Sequence, residues 1–253
     1  MAKAATRLPT PGPHAEPPEL GHIDGLDLHA EYSLSPMGGD FFDAVRVGPR
    51  IAFFLTDIAG PRRETDPIAA ATALAFRAHT DEFFSAPDAN LMEGTELLVQ
   101  TINHALMSAA NGIRFSPTVV GCYDIQLGLL AYVNAGGQTA ILQDSDGTRP
   151  LPHVSMPLGL FTHLTFDASM QAFEPGAKLL VVTKGVIDTP RGHAPFGPQR
   201  VLDHVEQTPA ASATDLCRTI LASAATYEKR PRFHLGRTHL REDRTALAMV
   251  RSN

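Results

Sequence analysis

Cysteine is scarce, long apolar runs are missing and no stretch is strongly basic, and each shortage removes a class of protein. The chain of 253 residues holds two cysteines, Cys122 in a strand-like run and Cys217 in a helix-like run, too far apart to suggest a disulfide framework or a metal knuckle. Both read as buried apolar thiols. No segment approaches the roughly 20 continuous apolar residues of a membrane helix, and the first residues lack the apolar stretch of a signal peptide, so a cytoplasmic setting with no membrane partner is expected. Acidic residues outnumber basic ones 27 to 21, giving a net charge of -6 without a basic run that could follow a phosphate backbone, so nucleic acid is not an expected partner. The eleven histidines show no His-Glu-x-x-His or other zinc spacing, and no serine nucleophile elbow is present.

What is present is enough apolar content, 43%, to bury one domain's core. Pro9, Pro11, Pro13, Pro17 and Pro18 hold the backbone extended and donate no ladder hydrogen bonds, so residues 1 to 20 read as a mobile leader and 21 to 253 as the domain. From Leu26 to Leu34 apolar residues recur at every second position, the period of a half-buried strand. Residues 41 to 47 and 51 to 56 form a hairpin about Gly48-Pro49, its second arm apolar throughout. Asp66 as cap and Pro67 at the first position predict a helix to Phe84, and a second helix is predicted from Gly94 to Asn111. Strands follow at 118–124, 128–135, 139–144, 165–173 and 178–183, the middle of the chain reading as an antiparallel meander. Helices near 199–206 and 213–228 and a strand at 245–251 complete an α+β pattern of sheets packed together and covered by helices.

Carboxylates gather beside these strands: Asp40 and Asp43 around a Gly-Gly bend, Asp57 at a strand end, and Glu242 with Asp243 before the last strand. Oxygen ligands from several strand ends suit hard divalent ions such as Mg²⁺ or Mn²⁺. Each alone reads equally as a turn carboxylate or a helix cap. Arg62, Arg63, Arg191, Arg232 and His193 are candidates to meet a phosphate, or simply solvated side chains.

The order of the local motifs decides more than any spacing does. Gly38-Gly39-Asp40-Phe41-Phe42-Asp43 resembles the Gly-Gly-Asp-Phe-Tyr-Asp opening of the SpoIIE-type phosphatases, within the protein phosphatase 2C superfamily. Thr56-Asp57-Ile58-Ala59-Gly60 resembles their Asp-Val-Ser-Gly metal turn, and Asn134-Ala135-Gly136-Gly137 their Asn-Ala-Gly-His turn. Pro157-Leu158-Gly159, the strand after Pro175-Gly176, Phe196-Gly197 and Glu242-Asp243-Arg244-Thr245 continue the resemblance in order to residue 251.

The resemblance implies an αββα sandwich of two mainly antiparallel sheets and a metal-dependent serine/threonine phosphatase of bacterial partner-switching signalling. Its substrate would be a phosphorylated protein such as an anti-sigma factor antagonist. By resemblance, Asp57 would bridge two ions, the Ile58 carbonyl would help hold one, Asp40 would act through water, and Asp43 and Asp243 would support the ligands. The other ion would depend on positions that here are Lys184 and Glu242. A protonated lysine has no lone pair for a metal. At ~4 Å and an effective dielectric near 20 it would repel a divalent ion by about 8 kcal/mol. The expectation is therefore at most one bound Mg²⁺ or Mn²⁺, with Lys184 paired to Asp57 or Glu242, and weak hydrolysis at most. The alternative is a pseudophosphatase that binds its partner without turning it over. Gly60-Pro61-Arg62, where the family carries Gly-Lys-Gly, and Gly137 in place of a histidine are smaller departures in the same direction.

Overall fold

Strands whose side chains are buried on both faces dominate the chain, because each of its two sheets has a sheet on one side and helices on the other. The computed structural model describes residues 23–33, 38–152, 155–191, 194–208, 212–228 and 242–252. The proposed leader, Arg232 and His193 lie outside them. In chain order the elements are β1 (Leu26–Ser33), β2 (Asp40–Val47), β3 (Arg50–Asp57), α1 (Arg62–Phe84), α2 (Leu91–Ala109), β4 (Thr118–Asp124), β5 (Leu129–Ala135), β6 (Thr139–Asp144) and β7 (Gly147–Pro150). They continue as β8 (Ser169–Ala172), β9 (Lys178–Val182), α3 (Lys184–Ile187), β10 (Pro190–Arg191), β11 (Ala194–Pro195), α4 (Pro198–Gln207), α5 (Ala213–Glu228) and β12 (Arg244–Arg251).

The two five-stranded sheets run β1-β12-β9-β6-β7 and β2-β3-β4-β5-β8, with neighbouring strands antiparallel. Between them lies a central apolar layer that includes Phe53, Leu55, Tyr123, Leu179, Val181 and Leu247. One outer layer packs α1 and α2 on the second sheet through Phe54, Phe76, Leu98 and Ile102. The other packs α4 and α5 on the first sheet through Val201, Leu216, Ile220 and Ala248. Full burial of each large apolar side chain contributes about 1.5 to 3 kcal/mol, so the stacked layers carry most of the gross stabilisation.

Three expectations from the sequence are corrected here. Helix α1 begins at Arg62, leaving Pro67 inside it. The first turn is anchored by tertiary contacts, Arg62 to Asp243 and the Thr65 hydroxyl to the Gly38 carbonyl, and Pro67 is exposed, so the hydrogen bond it cannot donate is lost where water can serve the carbonyl. Helix α2 begins at Leu91 because the Asn90 side chain caps the amides of Met92 and Glu93 at 3.1 and 3.3 Å. The middle of the chain is not one meander: β5 pairs with β4, but β6 pairs with β9 in the other sheet. The crossing is made at Gly136 and Gly137, whose φ of 88° and 76° lie in the left-handed region that favours glycine.

Candidate active site

A cavity of about 160 Å³ opens where the ends of β2 and β3 face the segment before β12. Its lining includes Asp40, Asp57, Ile58, Lys184, Glu242 and Asp243. The β2–β3 register sets Asp40 directly across from Asp57. Beyond Asp57 the chain is held on both sides: the amide of Asp57 donates to Pro117 at 3.0 Å, that of Ile58 to Gly39 at 3.1 Å, and that of Ala59 to Phe115 at 3.0 Å. Gly39 must be glycine for steric reasons, since a Cβ there would lie 2.2 Å from the Ile58 carbonyl oxygen.

Asp40 is buried, and its Oδ2 accepts from the hydroxyls of Thr183 at 2.7 Å and Thr245 at 2.6 Å, tying the second sheet to the first. Burial, then the charge of Asp57, push its carboxyl well above the usual carboxylate range. Asp57 is half-buried, and burial together with the Glu242 charge raises it to about 6 against the lowering effect of Lys184. Asp43 lies outside the cavity lining. Three residues after Asp40 on a strand, it faces the opposite side of the sheet and takes Arg77 Nε and Nη2 at 2.6 and 2.9 Å. Burial still raises its pKa in spite of that arginine.

Lys184 departs from expectation. Its ammonium pairs with Asp188 Oδ2 at 3.4 Å, and its side chain is 59% exposed. The reason is local: β9 stops at Val182, the chain turns at once into α3, and a first-position lysine reaches the residue one helical turn on. It still lines the cavity, and the Glu242 charge above all, then Asp188 and Asp57, raises its pKa. Glu242 is exposed at the cavity mouth, whereas Asp243 is buried.

Of the arginines considered for phosphate, Arg62 is turned onto Asp243, Arg63 lies exposed near Glu64, and Arg191 sits 5.5 Å from the Tyr227 ring centre. Sequence reasoning missed Arg114, which bonds Glu64 at 2.8 Å and the Ala59 carbonyl at 3.3 Å and so braces the turn after Asp57. It also missed the two threonines on Asp40; their signal was a threonine just before Lys184 and another two residues after Asp243. Among the described residues, no three His, Cys, Asp or Glu side chains are gathered closely enough to enclose a metal by themselves. An ion here would need backbone and water oxygens in addition to Asp57 and Glu242.

Two antiparallel sheets stacked between helical layers, with carboxylates converging at one end of the β2–β3 ladder, define the protein phosphatase 2C-like fold. Solved structures agree. The RsbU and RsbW domains of a Mycobacterium tuberculosis protein match with a TM-score of 0.69 at 24% identity, over 90% of this chain and 60% of that one. The SiaA-PP2C domain of Pseudomonas aeruginosa matches with a TM-score of 0.70 at 16% identity, over 89% of this chain and 86% of that one. The chain belongs to the Stage II sporulation protein E (SpoIIE) family, whose model matches residues 48–252. A curated relative, phosphoserine phosphatase RsbP of Bacillus subtilis, is 35% identical over 101 residues, which is 40% of this chain but 24% of that protein.

Proposed function

We propose that this chain is a metal-dependent serine/threonine phosphatase domain of partner-switching signalling with a degenerate site, holding at most one Mg²⁺ or Mn²⁺ and hydrolysing weakly. The observation that supports the reading is Asp57 held at a strand end directly across from Asp40, in a cavity that Lys184 lines together with Glu242 and Asp243. Asp57, Glu242 and the Ile58 carbonyl supply oxygens fit for a single hard ion. The position of the second ion's ligand is occupied by Lys184, which has no lone pair to offer while protonated. A bound ion would supply charge neutralisation to a phosphoryl group and acidify a water. The chain's own residues would do the rest: Asp57 anchors, and Asp40, held by Thr183 and Thr245, orients water from the buried side. The substrate proposed is a phosphorylated protein such as an anti-sigma factor antagonist, in the cytoplasm; no helix among the described residues is long and apolar enough to cross a membrane.

The second reading, a pseudophosphatase that recognises its partner without hydrolysis, is favoured by the cation at Lys184. Manganese-dependent hydrolysis of a phosphoserine peptide and of p-nitrophenyl phosphate separates the two. Wild type is expected slightly above background, Lys184→Asp higher because the charge is reversed and a ligand restored, and Lys184→Asp with Glu242→Asp higher still. Asp57→Asn should abolish every gain. Robust wild-type turnover that disappears in Lys184→Asp would overturn the reading and make Lys184 itself catalytic, whereas wild type and both restored variants at background would favour the binding domain.

A further inference from the structure

Asp243 is held more tightly than a solvated ligand carboxylate would be. It is buried, with a side chain only 1% exposed. Arg62, the first residue of α1, brings a single guanidinium nitrogen to both of its oxygens, at 2.6 Å from Oδ1 and 2.5 Å from Oδ2. The Asp40 amide also reaches Oδ2, at 3.4 Å. Glycines make room for this arrangement. A Cβ on Gly38 would fall 2.3 Å from the carboxylate carbon, and one on Gly185 would fall 1.7 Å from the Asp243 carbonyl oxygen. The same carboxylate lines the cavity with Asp40, Asp57 and Glu242, while Arg62 approaches it from the helix side and is absent from the lining.

We infer that Arg62 is the resident counter-ion of the carboxylate cluster, a positioning residue that engages Asp243 and so limits how strongly the cavity attracts a divalent cation. The inference rests on the reading that Asp57 holds such an ion. A guanidinium is always charged and can clasp a carboxylate with fixed geometry, so it supplies positive charge at the cluster without metal. It is also rooted in a long helix, so its charge cannot diffuse away as a bound ion can. Neutralising it would remove one positive charge from the cluster and so add one net negative charge beside Asp57, and divalent affinity should then rise.

The test is calorimetric titration of Mn²⁺ into the full chain, with circular dichroism to confirm folding. Arg62→Gln is expected to bind Mn²⁺ on the order of tenfold more tightly than wild type. Adding Asp243→Asn should bring the affinity back to within about threefold of wild type, because the released carboxylate is then gone. Asp57→Asn should remove binding in either background. Asp57-dependent binding in wild type with no gain in Arg62→Gln would sink the inference and leave the single-ion reading standing; no binding in any variant would sink both. Binding in Arg62→Gln alone would support the inference and show that wild type holds no ion. If Arg62→Gln fails to fold, Arg62→Met replaces it. If neither folds without metal, saturating Mn²⁺ should restore folding by taking over the counter-charge, and failure to do so would overturn the inference.

Discussion

Asp57 carries a conflict between two demands on one carboxylate. The strand end buries it, which favours the proton, while the proposed chemistry needs it charged. Its pKa of about 6, raised by burial and then by Glu242, sets the sign of the pH dependence. The folded state holds the proton more tightly than the unfolded chain, so this group's contribution to stability falls as pH rises from the ordinary 3.8 through about 6. Each whole step of pKa corresponds to about 1.4 kcal/mol, so the ceiling on the effect is about 3 kcal/mol, and partial exposure reduces it. Chemical denaturation of metal-free wild type and Asp57→Asn at pH 5 and pH 7 is the check. The variant should gain on wild type by about 1 to 2 kcal/mol between the two pH values, and parallel curves would contradict the assignment. Lys184 teaches a related lesson. Its identity was plain, but its direction depended on where β9 stopped, and the turn into α3 gave the ammonium to Asp188.

At the scale of elements, caps and glycines position the site. Asn90 accepts two amides at the start of α2, so Asn90→Ala should cost about 1 kcal/mol in urea denaturation and leave the m-value unchanged. Gly185, the second residue of α3, packs against the Asp243 carbonyl, where an added methyl cannot be accommodated without backbone movement. Gly185→Ala is therefore expected to cost about 1 to 3 kcal/mol and to displace Glu242 and Asp243 from the cavity. Loss of Mn²⁺ affinity in a variant that still folds would be the readout, and unchanged stability would contradict the tight approach. The start of α1 shows the same coupling: Asp66 and Pro67 had the chemistry of a helix start, but anchors to Asp243 and Gly38 extend the helix by an extra turn.

For the whole molecule, the central layer ties the two sheets together and each sheet supports its own helical layer, so the unfolding of one half exposes the other. Phe53 sits in that layer, packed where Gly121 has no side chain; a Cβ on Gly121 would approach its ring to 2.6 Å. Phe53→Ala should cost about 3 to 5 kcal/mol. Far- and near-ultraviolet circular dichroism should still lose signal in one coincident transition. Two separated transitions would show that the sheets unfold independently.

Much of this was legible from local pattern. Alternation at Leu26–Ser33 and the fully apolar arm Ile51–Leu55 marked strands because side-chain period and burial leave a direct trace, and the order of short motifs indicated the family. The same motifs put Asp40, Asp57, Glu242 and Asp243 into one cavity. What tertiary structure alone decided were contacts between residues far apart in the chain: Arg62 on Asp243, Thr183 and Thr245 on Asp40, and Arg77 on Asp43. No period or cap signals such a pair, because side-chain direction at a strand end depends on where the chain turns next and which helix packs above it. Asp40 and Asp43 share one motif, yet the pleat sends one to the cavity and the other to the helix layer.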